Sequence, residues 1–177
     1  MRAFDYLGAY AYSVTVNTAN RSRPFEDERA VRDCLDVLTT ACDRYAFSVH
    51  AYCFMPNHVH LLVEGDEYSS LVAFMKNFKQ LSSYRHRQRT GQALWQRSYY
   101  ERVLRTDEDV SAVVDYIWDN PVQAGYVAFR EEYRFSGPRD AMGPDRPEGL
   151  SLRSPSSDGV EAPSLLHVGT LGARSDV

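Results

Sequence analysis

The sequence predicts an α+β domain, and three observations carry that reading. Short runs rich in β-branched and aromatic residues read as strands, longer segments place apolar residues at helical spacing, and the two kinds follow one another in a characteristic order. "YAYSVTVN" alternates as a strand and gives way to the polar, turn-prone "NTANRSRPF". "EDERAVRDCLDVLTTACDRYA" follows, with Ala30, Val31, Cys34, Leu35, Leu38, Ala41 and Cys42 on one helical face and acids in the first turn, where the helix dipole favours them. "FSVHAYCFM" and "HVHLLVEG" are two strands turned around Pro56-Asn57. A second helix starts near Ser69 or Ser70 and buries Leu71, Phe74, Met75, Phe78 and Leu81. Beyond Gly91, "LWQRSYYERVLR" supplies a fourth strand, and "DEDVSAVVDYIWDN" a third helix stopped by Pro121. Strand, helix, strand, strand, helix, strand, helix is the order of a ferredoxin-like split βαβ antiparallel sheet with helices on one face, extended by a C-terminal helix.

Composition narrows the class. The 177 residues are 44% apolar, enough for one domain with a real core. Residues 1–136 are expected to form it, and 137–177, dominated by Gly, Pro, Ser and charge, a disordered tail. No run approaches a membrane span and "MRAFDYLGAY" lacks a signal-peptide layout, so a cytoplasmic protein without a membrane partner is expected. Cys34, Cys42 and Cys53 are odd in number and form no C-x-x-C, which argues against a disulfide framework or a thiolate zinc site. The net charge of −4 conceals a basic block: Lys76, Lys79, Arg85, Arg87, Arg89, Arg97, Arg102 and Arg105, against the single acid Glu101.

Within "FMPNHVHLLVEG" the strand period of two points His58 and His60 to one face while Val59, Leu61 and Val63 enter the core. Neutral imidazoles so placed can hold one divalent ion, given an oxygen ligand from elsewhere. A hydrogen-bonded pair of sheet histidines is the plainer alternative. Glu64 is read as a surface acid off that face. In "VVDYIWDNPVQAG", Tyr116 and Asn120 are one helical turn apart and can supply a nucleophile and a ligand. Alternatively, Tyr116 continues a core stripe with Val113, Val114 and Ile117, and Asn120 is a C-terminal cap.

Taken together, "HAYCFMPNHVHLLVEG", "LWQRSYYERVLRTDEDV" and "VVDYIWDNPVQAGYV" resemble, in order and spacing, the single-tyrosine HUH transposases. Within that family the Asn-Pro pair is similar to the branch associated with repetitive extragenic palindromes (REPs), the REP-associated tyrosine transposases. The likeness spans roughly residues 8 to 136. It implies a ferredoxin-like enzyme that nicks single-stranded DNA beside a hairpin, using Mg2+ or Mn2+ and a tyrosine that becomes linked to the 5′ phosphate. On this sequence the metal ligands fall on His58, His60 and Asn120 and the nucleophile on Tyr116. A monomer or a homodimer is compatible with the resemblance.

The resemblance also gives the basic block a purpose. Lys76, Lys79, Arg85, Arg87, Arg97, Arg102 and Arg105 are candidates to neutralise phosphates, Arg21 and Arg23 are further ones, and Trp95, Tyr99 and Tyr100 are candidates for stacking on unpaired bases; the plainer alternative is a solvated helix face and a core aromatic cluster, which is the preferred reading for Trp95 and one of the tyrosines. Two other readings stay open: a domesticated hairpin binder that does not cut, and a small metallohydrolase in which Tyr116 is structural.

Overall fold

The computed structural model describes residues 8–104 and 110–138. The expected elements occur in the expected order: β1 (Ala11–Asn17), α1 (Glu28–Tyr45), β2 (Phe47–Met55), β3 (His58–Gly65), α2 (Leu71–Thr90), β4 (Tyr100–Val103) and α3 (Val110–Gln123). A further two-residue strand, β5 (Ser136–Gly137), closes the described chain, and the sheet order is β4-β1-β3-β2-β5. β1 and β2 each run antiparallel to β3 between them, so α1 is the crossover of a split βαβ unit. The sheet is therefore ferredoxin-like, with one strand added. β5 is too short to show alternation, and its place is set by contact: it pairs with Tyr52 and Cys53 of β2. Glycine is required there, because a Cβ on Gly137 would lie 2.6 Å from the Tyr52 hydroxyl. The expected boundary between 136 and 137 falls inside this strand; the remainder of the expected tail, like Arg105, lies outside the described residues. No helix among the described residues is long and apolar enough to cross a membrane.

Local chemistry fixes the helix ends. The Asp27 carboxylate accepts from the Arg29 N–H (3.0 Å) at the start of α1, and Ser70, of the two serines considered, caps α2 through Ala73 N–H (3.4 Å). Gly91, at φ +74°, ends α2 in the left-handed conformation.

The two sheet faces carry different cores. Tyr12, Val14, Val16, Val59, Leu61 and Val63 pack against α1 and α2. Ala11, Ala51, Cys53, Met55, Leu62 and Leu104 on the opposite face are covered by Ile117 and Trp118 of α3. This explains the unbroken run Leu61-Leu62-Val63: burial on both faces removes the need for alternation. Each such side chain contributes about 1.5–3 kcal/mol. The cysteines are free, and burial pushes the thiols of Cys42 and Cys53 up to about 11 and 12.

α3 departs from expectation at its end. Pro121 does not stop the helix, which continues to Gln123 with the proline buried inside it. Proline lacks the N–H that would bond the Ile117 carbonyl. The Asn120 side-chain NH2 compensates, donating to the carbonyls of Tyr116 (2.8 Å) and Ile117 (3.5 Å). The stop comes four residues later at Gly125, φ +74°, where Tyr126 N–H bonds Pro121 O and Gly125 N–H bonds Val122 O.

Two members of the basic and aromatic block have structural contacts: Trp95 is in the core and Lys79 is half-buried beside it. Trp95 is 8% exposed, packs between Phe25 and Phe78, and donates its indole N–H to Ser82 Oγ (2.8 Å). Lys79 Nζ reaches the carbonyls of Gln96 (2.9 Å), Arg97 (2.9 Å) and Ser98 (3.4 Å) and lies over the Tyr99 ring. Burial pulls its ammonium down to about 8, while the carbonyls and the ring favour the charged form. Lys79 thus staples the connection into β4. Replacing it, Lys79→Met, leaves those carbonyls without their donor and is expected to cost about 1–3 kcal/mol of unfolding free energy in denaturant melts.

Candidate active site

His58 and His60 project from β3 onto the face covered further along by α3. Register, not sequence adjacency, furnishes their surroundings: Asn17 and Thr15 of β1 stand opposite His58 and His60 respectively. The ring nitrogens converge, with His58 Nε2 and His60 Nε2 3.1 Å apart and the rings edge-on. On their far sides, His58 Nδ1 bonds Asn57 Oδ1 (2.8 Å) and His60 Nδ1 bonds Thr15 Oγ1 (3.0 Å). Asn57 is itself held in the β2–β3 turn, its carbonyl accepting from both Thr18 N–H (3.0 Å) and Thr18 Oγ1–H (2.9 Å). Burial lowers the basicity of both rings; that of His60, with a smaller contribution from the charge His58 would carry, falls to about 4. Both imidazoles are neutral at pH 7.

Tyr116 approaches from α3. Its ring is 54% exposed and lies edge-on to His60 with centroids 6.4 Å apart, so it does not continue the core stripe, which runs through Ile117 and Trp118. One turn on, Asn120 spends its NH2 on backbone carbonyls, leaving Oδ1 as the side-chain atom for any ligand. It is not a C-terminal cap, since the helix continues past it. The base of α3 is braced by Arg130, whose guanidinium bonds the Asp115 carboxylate (2.9 Å) and lies over the Trp118 ring, and by the Trp118 indole donating to Gly137 O (3.0 Å).

The donor set suits a divalent cation. Two neutral imidazoles present convergent Nε2 atoms, each oriented by a hydrogen bond behind it, which is how histidine ligands are usually supported. Among the described residues no three His, Cys, Asp or Glu side chains cluster, so a third protein ligand would be of another type. Glu64, expected off the histidine face, lies on it. The period of two places it on the same strand face as His58 and His60, opposite Ala11, but it is bonded to His50 Nε2 (2.7 Å) at the far end of β3.

The remaining candidates divide by face. α2 packs on the opposite side of the sheet from the histidines, and its Arg85 is turned to Asp36 and the Asp33 carbonyl of α1. Lys76 and Arg87 are exposed on that same helix. Arg102 is different: it stands opposite Ser13, and its neighbour two residues back, Tyr100, opposite Thr15, so both share the face of His60. Arg21 and Arg23 lie just past the end of β1, and Arg23 contacts Glu26 (2.9 Å) and the Tyr126 hydroxyl (3.5 Å). Arg97 sits in the loop that Lys79 staples. The sequence offers Tyr100 as a stacking candidate and Asn57 as a turn residue, but carries no signal for Thr15, whose place depends on the strand opposite it.

A family model described as "Transposase IS200 like" matches residues 7–120. The chain belongs to the IS200-like transposase family. Among curated relatives of this transposase, a Haemophilus influenzae protein of the REP-associated tyrosine transposase group is 27% identical over 145 residues, spanning 75% of this chain and 81% of the relative. The REP-associated tyrosine transposase of Escherichia coli K12 is 25% identical over 134 residues, spanning 74% and 78%. The solved structure of a REP-associated tyrosine transposase bound to a REP hairpin aligns with TM-score 0.68 over 89% of this chain and 98% of that one; at 20% identity the likeness is one of fold. All three descriptions agree with the family to which the sequence motifs point.

The neutral state of His60 has a measurable consequence. An unfolded His60 takes up a proton near pH 6.5, whereas in the transposase it resists until about pH 4. Between these values the unfolded chain binds more protons, so native stability falls on acidification through that window, by about 3 kcal/mol for a shift of this size, and levels off below it. Denaturant melts from pH 7 to 4 are expected to show a flatter acid limb for His60→Gln than for wild type.

Proposed function

We propose that this transposase cleaves and rejoins single-stranded DNA beside a palindromic hairpin, with Tyr116 as the nucleophile. One observation carries the reading: a half-exposed phenol on α3 lies edge-on to one of two convergent, neutral imidazoles. A hydrolase that used a bound water would have no use for an accessible tyrosine at that spot. The hairpin partner is supported by the solved relative that binds one and by the shared fold.

The reaction is a phosphoryl transfer. The Tyr116 oxygen attacks phosphorus in line, a bond forms between phenolic oxygen and phosphorus, and the bond to the 3′ oxygen breaks. The phenolic proton passes to solvent and the departing 3′ oxygen is protonated. The 5′ phosphate remains on the tyrosine with the bond's free energy retained, and attack by another 3′ hydroxyl reverses the step without ATP. An ordinary phenol, with pKa near 10, is a weak nucleophile at neutral pH, so the phosphate must be made more electrophilic. Mg2+ or Mn2+ held by His58, His60 and Asn120 Oδ1 would polarise the scissile phosphate and offset its charge. The protein's own part is positional: α3 sets the phenol over the histidine face, and the Asn120 NH2, locked to the backbone, fixes which amide atom faces a ligand. That Arg102 and Tyr100 share the histidine face supports a role for them in contacting phosphate and base of the strand being cut.

Incubation with a labelled hairpin oligonucleotide and Mn2+ tests this. Wild type is expected to yield a denaturant-resistant protein-DNA adduct, Tyr116→Phe to bind the DNA without forming one, and chelation to abolish it. Adduct formation by Tyr116→Phe would move the nucleophile elsewhere; cleavage without any adduct would indicate a metallohydrolase, and binding without cleavage a domesticated binder. In the same system Arg102→Ala is expected to weaken binding and reduce the slope of log affinity against log salt by about 0.7, the value for one phosphate on a single strand. Arg85→Ala, turned to α1, is expected to leave that slope unchanged.

A further inference from the structure

The bonds behind the paired rings differ in kind. Asn57 Oδ1 can only accept, so in the neutral ring bonded to it His58 Nδ1 carries the proton and Nε2 keeps a lone pair. Thr15 Oγ1, 3.0 Å from His60 Nδ1, can either donate or accept. His60 needs both options. In the absence of a cation, two Nε2 atoms 3.1 Å apart must share a proton, and since His58 Nε2 has none, His60 Nε2–H donates. His60 Nδ1 is then an acceptor and receives the Thr15 hydroxyl proton. A cation between the rings requires lone pairs on both Nε2 atoms, which puts the His60 proton on Nδ1 and asks Thr15 to accept it.

We propose that Thr15 is a positioning residue whose hydroxyl reverses its hydrogen bond to His60 when a divalent cation binds, holding the ring in place in both tautomers. This rests on the metal-dependent reading above. The exchange balances: a proton leaves Nε2 to water, one is taken up at Nδ1 from water, and the ring stays neutral. A hydroxyl can serve both states without changing its charge and by turning only its proton, and the β-branch of threonine stiffens its rotamer on the strand. Thr15 occupies the cross-strand position directly opposite His60. The neighbour on the other side, Cys53, directs its thiol to the Met55 sulfur (3.7 Å) and does not compete.

Long-range proton-nitrogen NMR of the 15N-labelled full chain reads the tautomers directly, with Zn2+ as a diamagnetic probe. Wild type is expected to change His60 from the Nε2–H to the Nδ1–H form on adding Zn2+, with His58 Nδ1–H throughout. Mn2+ binding, followed by the spin-resonance signal of the free ion, is expected to weaken about 10- to 100-fold in Thr15→Val and to recover in Thr15→Ser. His60 already in the Nδ1–H form without metal, or Mn2+ bound by Thr15→Val as tightly as by wild type, would overturn the inference and leave the metal site standing. Absence of any Mn2+ or Zn2+ binding by wild type would overturn both. The wild-type NMR measurement decides the matter even if Thr15→Val proves unstable.

Discussion

The site depends on the antiparallel register of β1 against β3. With Thr15 opposite His60 and Asn17 opposite His58, strand parity sends the two rings to one face and gives the second ring a partner. A one-residue slip would send both histidines into the core against α1 and α2 and expose Val59, Leu61 and Val63. The core thereby enforces the chemistry: burying those three side chains on the helix side is inseparable from presenting the imidazoles on the other. The end of β1 secures this further, since Thr18 holds the Asn57 carbonyl and bridges to Trp95, tying the turn before His58 to both neighbouring segments.

Both faces of the sheet are used, and for different purposes. α1 and α2 make the larger core, and their facing charges, such as Arg85 with Asp36 and Arg89 with Asp27, are spent on each other. α3 covers only part of the opposite face, and the half-buried histidines lie beside a half-exposed phenol. A basic cluster in the linear sequence therefore separates into residues that hold helices together, a lysine that staples a loop, and a few cations near the site. Proximity in sequence overstated the interface, because helical periodicity and the sheet divide neighbours between two sides.

One side chain repairs the end of α3. Pro121 deprives the helix of a backbone bond, and Asn120, immediately before it, covers the carbonyls of the preceding turn. That duty fixes the amide, so the Asn-Pro pair combines a helix repair with a defined oxygen. An asparagine free to rotate would present either end.

Periodicity and order alone determined the ferredoxin-like sheet, the strand face shared by His58 and His60, and the pairing of Tyr116 with Asn120, because these follow from repeats of two and 3.6 along one chain. The same rule, applied consistently, would have set Glu64 on the histidine face. What the sequence could not contain was anything that depends on which strands are neighbours: Thr15 behind His60, Arg102 and Tyr100 on the site face, and β5 against β2. Nor could it tell a half-buried, bonded cation from an exposed one, since Lys79 and Lys76 differ only in what the folded chain brings to them. Those distinctions arise from packing between segments far apart in the chain, and only the tertiary structure decides them.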